Sequence, residues 1–217
     1  MKIYFISGMG ADRRLFKNLR LPEHFEAKYL EWIPFQKNES LGDYAGRLSA
    51  GIDVSEPFIL AGISLGGMMA VEIAKKTPPV CTIMISSIPV SAQLPAYFKI
   101  GRWLPLVDLI PTSFFKSAAT LKRLITNETS EDKELVRQMI RESDPGFIRW
   151  AMKAVVKWDN KWKPEPFWHI HGTRDEIFPI WRVRPTHIIQ KGDHLLIMTR
   201  FGEVNAILEQ LLSPYKG

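Results

Sequence analysis

Gly62-Ile63-Ser64-Leu65-Gly66 sets one hydroxyl between two glycines, each two positions away. The apolar run "PFILAGIS" leads into it, and "GGMMAVEIAKK" follows with helical periodicity. A serine on a sharp strand-to-helix turn is the arrangement a nucleophile needs. The turn lifts the hydroxyl above the sheet, and the free N–H groups and dipole of the following helix favour negative charge there. Side chains at Gly62 and Gly66 would collide with the neighbouring strand or helix, which accounts for glycine at both places. The competing reading of the same five residues is an idle turn punctuated by small side chains.

A serine hydroxyl at neutral pH is a poor nucleophile and requires a base, which in turn requires an orienting acid. The chain has five histidines. His24 lies in a polar connection. His169, His171 and His187 lie in or beside apolar strand-like runs, where a packed, hydrogen-bonded imidazole is expected. His194 follows the last such run in "IIQKGDHLLIM", directly after a Gly-Asp turn. Asp175, in "HIHGTRDEIFP", is the acid candidate, and the adjacent Glu176 is its alternative. Ser64, Asp175 and His194 each come after a different strand-like run. In a parallel sheet all strand ends of one sense lie along one edge, so three distant side chains can converge there.

Acyl transfer passes through a tetrahedral intermediate whose oxyanion needs preorganised N–H donors, each worth about 3 to 4 kcal/mol. Leu65 follows the serine and supplies one. The loop "SGMGADRR" after the first strand supplies the other. Gly8 and Gly10 let its backbone turn inward, leaving Met9 as the donor. The same loop lacks the Lys-Ser/Thr of a P-loop and the spacing of a dinucleotide fingerprint.

The elements that must position these groups read as an alternation. "KIYFIS", "FEAKYLEWI", "PFILAGIS", "VCTIMISSI", "PFWHIHG" and "PTHIIQKG" are strands. "ADRRLFKNL" (Asp12 cap), "SLGDYAGRLSAGI" (Ser40 cap), "GGMMAVEIAKK" and "GEVNAILEQLL" are helices. This predicts an α/β fold, a doubly wound sheet covered on both faces. Between Pro89 and Pro166 no strand is evident. Four helical segments are, around "LPAYFKIGRWL", "SFFKSAATLKRLI", "EDKELVRQMIRES" and "PGFIRWAMKAVVKW". Residues 1–88 and 166–217 are therefore expected to form the core, and 89–165 a helical insertion.

Composition narrows the class. With 217 residues the chain suits one domain with an insertion, and 46% hydrophobic against 24% charged residues leaves enough apolar material for a sizeable core. The net charge of +6 is dispersed among acids, without a basic run or a nucleic-acid signature, so a solvated basic surface is expected and no nucleic-acid partner. The single cysteine, Cys81, lies in an apolar run and cannot pair within the chain. No apolar run reaches about 18 residues, and "MKIYFISGMG" lacks the features of a signal peptide, so a cytoplasmic protein without integral membrane contact is expected.

Taken together, "SGMG", "GISLG", "GTRDEIFP" and "GDH", in the chain order Ser, Asp, His, resemble the α/β-hydrolase superfamily. The resemblance implies an all-parallel sheet of about six strands with a helical cap over the site. It implies Ser64 as nucleophile, Asp175 as acid and His194 as base, with Met9 and Leu65 donating the oxyanion N–H groups. It implies no metal or organic cofactor. Ser7 stands where many members have histidine, which is expected to alter the loop's hydrogen bonds and spare the backbone donor. "SSIPVSAQLPAYFKIGRW" carries no acid, which favours Asp175 over an acid on the preceding strand. Phe98, Trp103, Leu106, Phe114, Phe115, Met139, Phe147, Trp150 and Met152 are available to line the pocket, a minority of them touching substrate.

The expected function is a serine hydrolase cleaving an ester or thioester of a small apolar or aromatic substrate. The same three residues also serve lyases, carbon–carbon hydrolases and acyltransferases, and a non-catalytic ligand-binding protein can use the same scaffold.

Overall fold

The computed structural model describes residues 1–96, 98 and 130–215. Six strands, β1 (Lys2–Ile6), β2 (Glu26–Leu30), β3 (Phe58–Ile63), β4 (Cys81–Ile85), β5 (Phe167–Gly172) and β6 (His187–Ile189), form one sheet in the order β2-β1-β3-β4-β5-β6. Every neighbouring pair is parallel. The central strands are buried on both faces, which is why they read as unbroken apolar runs instead of alternating ones. Their alternate residues feed two cores. Tyr4, Ile6, Leu60 and Met84 face one, and Ile3, Phe5, Ile59, Ile63, Ile83 and Ile85 face the other.

Helices α1 (Leu41–Leu48) and α2 (Leu65–Ala74) cover the first face, and α4 (Pro145–Lys157) adds Phe147, Trp150, Ala151 and Ala154 to it. Helices α3 (Ser130–Glu142), α5 (Leu196–Thr199) and α6 (Phe201–Leu212) cover the second. The expected cap of α1 is in place, the Ser40 hydroxyl accepting from the Asp43 N–H at 3.1 Å. The chain crosses from one side of β1 to the other between β2 and β3. The carboxyl ends of β1 and β3 therefore flank a crevice, the usual location of a site in such a sheet.

Three expectations are corrected. "ADRRLFKNL" forms only one 3-10 turn, Arg13–Phe16. Asp12 caps it as expected but also chelates the Arg14 guanidinium, and burying Leu15 and Phe16 takes no more than that turn. The second strand stops at Leu30, well short of Pro34, because its pairing with β1 ends at Ile6. The last strand shrinks to three residues. The short helix α5 that follows it has no counterpart among the expected elements. Asp193 ties the chain just before it to its last residue, the carboxylate accepting from the Leu195 N–H at 3.1 Å and the Thr199 hydroxyl at 3.0 Å.

Among the described residues of 89–165, helices α3 and α4 match two of the four expected segments. The segment 113–125 and most of 94–104 lie outside the described residues, and with them Trp103, Leu106, Phe114 and Phe115. Asn160 clasps the two ends of this stretch. Its side-chain amide donates to the Pro89 carbonyl at 2.7 Å, while its main-chain carbonyl accepts from the Ser91 N–H at 2.8 Å. Asp144 and Pro145 start α4, the carboxylate accepting from the Gly146 N–H at 2.8 Å. Cys81 is buried, and burial pushes its thiol up to about 11, as befits an inert core residue.

Candidate active site

Ser64 stands between β3 and α2 with φ 53° and ψ −118°, a positive-φ conformation that a non-glycine residue avoids. Packing enforces it. A Cβ at Gly62 would collide with the backbone of Gly66, and a Cβ at Gly66 with the carbonyls of Ile6 and Ser7, so the turn is wedged between its own helix and the end of β1. The Ser64 N–H donates to the Ile85 carbonyl at 3.1 Å, and the Ser87 hydroxyl donates to the Ser64 carbonyl at 2.6 Å, tying the strained residue to β4 and the chain just beyond it.

The three predicted side chains meet. His194 Nε2 lies 3.0 Å from Ser64 Oγ, and His194 Nδ1 lies 2.9 Å and 3.1 Å from the two carboxylate oxygens of Asp175. An ionised carboxylate only accepts, so Nδ1 carries the hydrogen and Nε2 is left to accept from Ser64. Asp175 and His194 are 3% and 4% exposed, whereas Glu176 is exposed and stands outside the arrangement. Asp175 Oδ1 also accepts from the Ile177 and Phe178 N–H groups, each at 2.8 Å. Burial opposes ionisation of this carboxyl. Electrostatic attraction and the hydrogen bond from the His194 ring, with His171 and the Phe178 N–H, outweigh it and hold the group below the usual carboxylate range.

The loops carrying acid and base are zipped together. The Arg174 N–H donates to the Gly192 carbonyl at 2.8 Å, and the Lys191 N–H to the Thr173 hydroxyl at 2.8 Å. A Cβ at Gly172 would strike the Gly192 backbone, so both glycines serve close approach. In the sequence these two glycines look like ordinary turn formers. Ser87 carries no local signal either, because its role depends on a neighbouring strand.

On the other side of Ser64 the loop after β1 turns through Gly10, at φ 76°, and is braced by the Ser7 hydroxyl donating to the Ala11 carbonyl at 2.8 Å. A Cβ at Gly8 would lie 3.5 Å from the Ser64 Cβ, an ordinary contact, so of the two loop glycines only Gly10 meets a conformational need. Among the described residues, the N–H groups of Met9 and Leu65 have no hydrogen-bond acceptor.

Of the expected lining residues, Phe98 stacks on Phe178 with ring centroids 6.2 Å apart, and Phe178 in turn faces His194 at 5.6 Å. Met139 and Phe147 line a cavity of about 390 Å³ beside Ala11 and Asp12. Trp150 packs against α1 and the chain before it. It lies 4.4 Å from Tyr44 ring to ring, and its indole N–H donates to the Glu39 carbonyl at 3.0 Å. Met152 is half-buried on α4. His24 is exposed, and the His187 ring engages its neighbour Thr186 at 2.9 Å.

No family model and no curated protein sequence matches the chain. Solved structures do. MenH from S. aureus superposes with a TM-score of 0.78 at 16% identity, covering 100% of this chain and 95% of its own. A thermophilic esterase from Thermogutta terrifontis gives 0.75 at 17% identity, covering 99% and 90%. The chain has the α/β-hydrolase fold. A third structure of that fold, the putative non-heme bromoperoxidase BpoC from Mycobacterium tuberculosis H37Rv, gives 0.71 at 16% identity, covering 100% and 93%. Among the described residues no helix is long and apolar enough to cross a membrane.

Proposed function

We propose that this α/β-hydrolase-fold protein is a serine hydrolase acting on a carboxylic ester or thioester with an apolar or aromatic acyl or alcohol part. The observation that carries the reading is the line of hydrogen bonds Ser64–His194–Asp175 built on a strained serine at a helix N-terminus. Esterases among the similar solved structures agree with it.

In this reading His194 Nε2 takes the Ser64 proton as Oγ attacks the carbonyl carbon. The electron pair of the carbonyl moves to oxygen, where the Leu65 and Met9 N–H groups hold it. Collapse of the tetrahedral intermediate expels the alkoxide or thiolate, to which His194 returns the proton. Water, deprotonated by His194, then attacks the acyl-serine, and a second collapse releases the acid and restores the hydroxyl. Asp175 fixes the imidazole tautomer and stabilises the imidazolium. Phe178 and Phe98 supply an apolar wall beside His194, and residues 89–165 serve as a cap over the substrate.

A fluorophosphonate probe tests the nucleophile. Labelling at Ser64 that disappears in Ser64→Ala and His194→Ala is expected, and labelling that persists in Ser64→Ala refutes the assignment. A panel of p-nitrophenyl and coenzyme A esters of graded acyl length tests the reaction. Turnover of none of them, with labelling intact, favours lyase, carbon–carbon hydrolase or acyltransferase chemistry on the same residues.

A further inference from the structure

A second histidine lies against the acid. His171, the penultimate residue of β5, is fully buried, and its Nε2 lies 2.7 Å from the Phe178 carbonyl and 3.5 Å from Asp175 Oδ2. Both neighbours only accept, so Nε2 carries the hydrogen and the ring is a donor toward them. Its Nδ1 has no partner among the described residues. The titratable groups around it are His169 on the same strand, whose ring stands edge-on at 5.1 Å, together with Asp175 and His194. Burial disfavours a charge on His171 itself.

Phe178 is where the two histidines connect. Its N–H donates to Asp175, its carbonyl accepts from His171, and its ring packs against His194. The turn carrying the acid is therefore held at both polar ends of one residue. Without His171 the Phe178 carbonyl would be a buried acceptor with no donor, and the turn would gain by rotating it away. That rotation carries Asp175 Oδ1 with it, and with it the plane in which both carboxylate oxygens face His194.

We propose that His171 is a positioning residue that sets the Asp175 carboxylate against His194 by pinning the Phe178 carbonyl. The catalytic consequence rests on the hydrolase reading above; the positioning itself does not. A charged imidazole at this place would draw the carboxylate off His194, so the neutral ring is the form that serves.

The experiment compares the wild type with His171→Leu, which removes the donor, and His171→Gln, which keeps an N–H near the Nε2 position. Proton NMR follows the His194 Nδ1–H resonance, assigned by its loss in His194→Ala. Kinetics use p-nitrophenyl butyrate. In folded His171→Leu the resonance is expected to broaden or disappear, and kcat to fall about 10- to 100-fold with KM within about twofold. His171→Gln is expected to keep the resonance and remain within about threefold of wild type in kcat. Should His171→Leu fail to fold, His171→Asn, whose shorter amide falls short of Phe178, takes its place with the same expectation. An unchanged resonance and a kcat within twofold in the donor-less variant overturn the proposal. If the wild type turns over no ester, the hydrolase reading fails while the resonance alone still decides the role of His171.

Discussion

At the scale of single residues, the asymmetry of Asp175 makes a sharp prediction. Its Oδ1 is committed to two backbone N–H groups, so in Asp175→Asn the amide oxygen takes that place and the NH2 group faces His194. A donor there forces Nδ1 to accept, moves the ring hydrogen to Nε2, and leaves nothing to receive the Ser64 proton. Asp175→Asn is expected to fold normally and to lose about four orders of magnitude in kcat on a p-nitrophenyl ester. Phe98→Ala removes part of the aromatic wall beside Phe178, and a rise in KM for aromatic acyl esters with little change for acetate is the expected outcome.

At the scale of elements, the site depends on how closely β1, β3 and α2 approach. Gly66→Ala places a methyl group against the carbonyls of Ile6 and Ser7, and neither strand end can withdraw without breaking the sheet. Loss of soluble protein, or of fluorophosphonate labelling in any that folds, is expected. Helix α1 is tied to the chain after β2 by Tyr44, whose hydroxyl donates to the Ile33 carbonyl at 2.7 Å and accepts from the Ile33 N–H at 2.8 Å. The ring is wholly buried, and burial pushes the phenol up to about 12. Tyr44→Phe orphans both backbone groups and should cost about 1 to 3 kcal/mol in urea denaturation.

At the scale of the whole molecule, buried titratable groups set the response to acid. His169 is buried, and burial, with the neighbouring His171, lowers it to about 3 from an ordinary value of 6.5. Between those limits the unfolded chain binds a proton that the folded chain does not, so stability is full above pH 6.5 and falls as pH drops toward 3. Asp175, lowered when folded, acts in the same direction in the carboxylate range. Thermal denaturation between pH 6.5 and 3 should show this decline, with a shallower slope for His169→Gln.

The sequence by itself determined the six parallel strands, the order of the chemical groups along the chain and the turn at Ser64, because each is written in local pattern: apolar runs, glycines at fixed offsets, a polar residue just past a strand. It did not determine where the short 3-10 turn after β1 ends, that Trp150 packs against Tyr44, or that Gly172 and Gly192 bring two loops into contact. Nor did it distinguish His171 from any other packed histidine. Those outcomes depend on which backbone comes within reach of which side chain across strands far apart in sequence, and only the assembled tertiary structure fixes those distances.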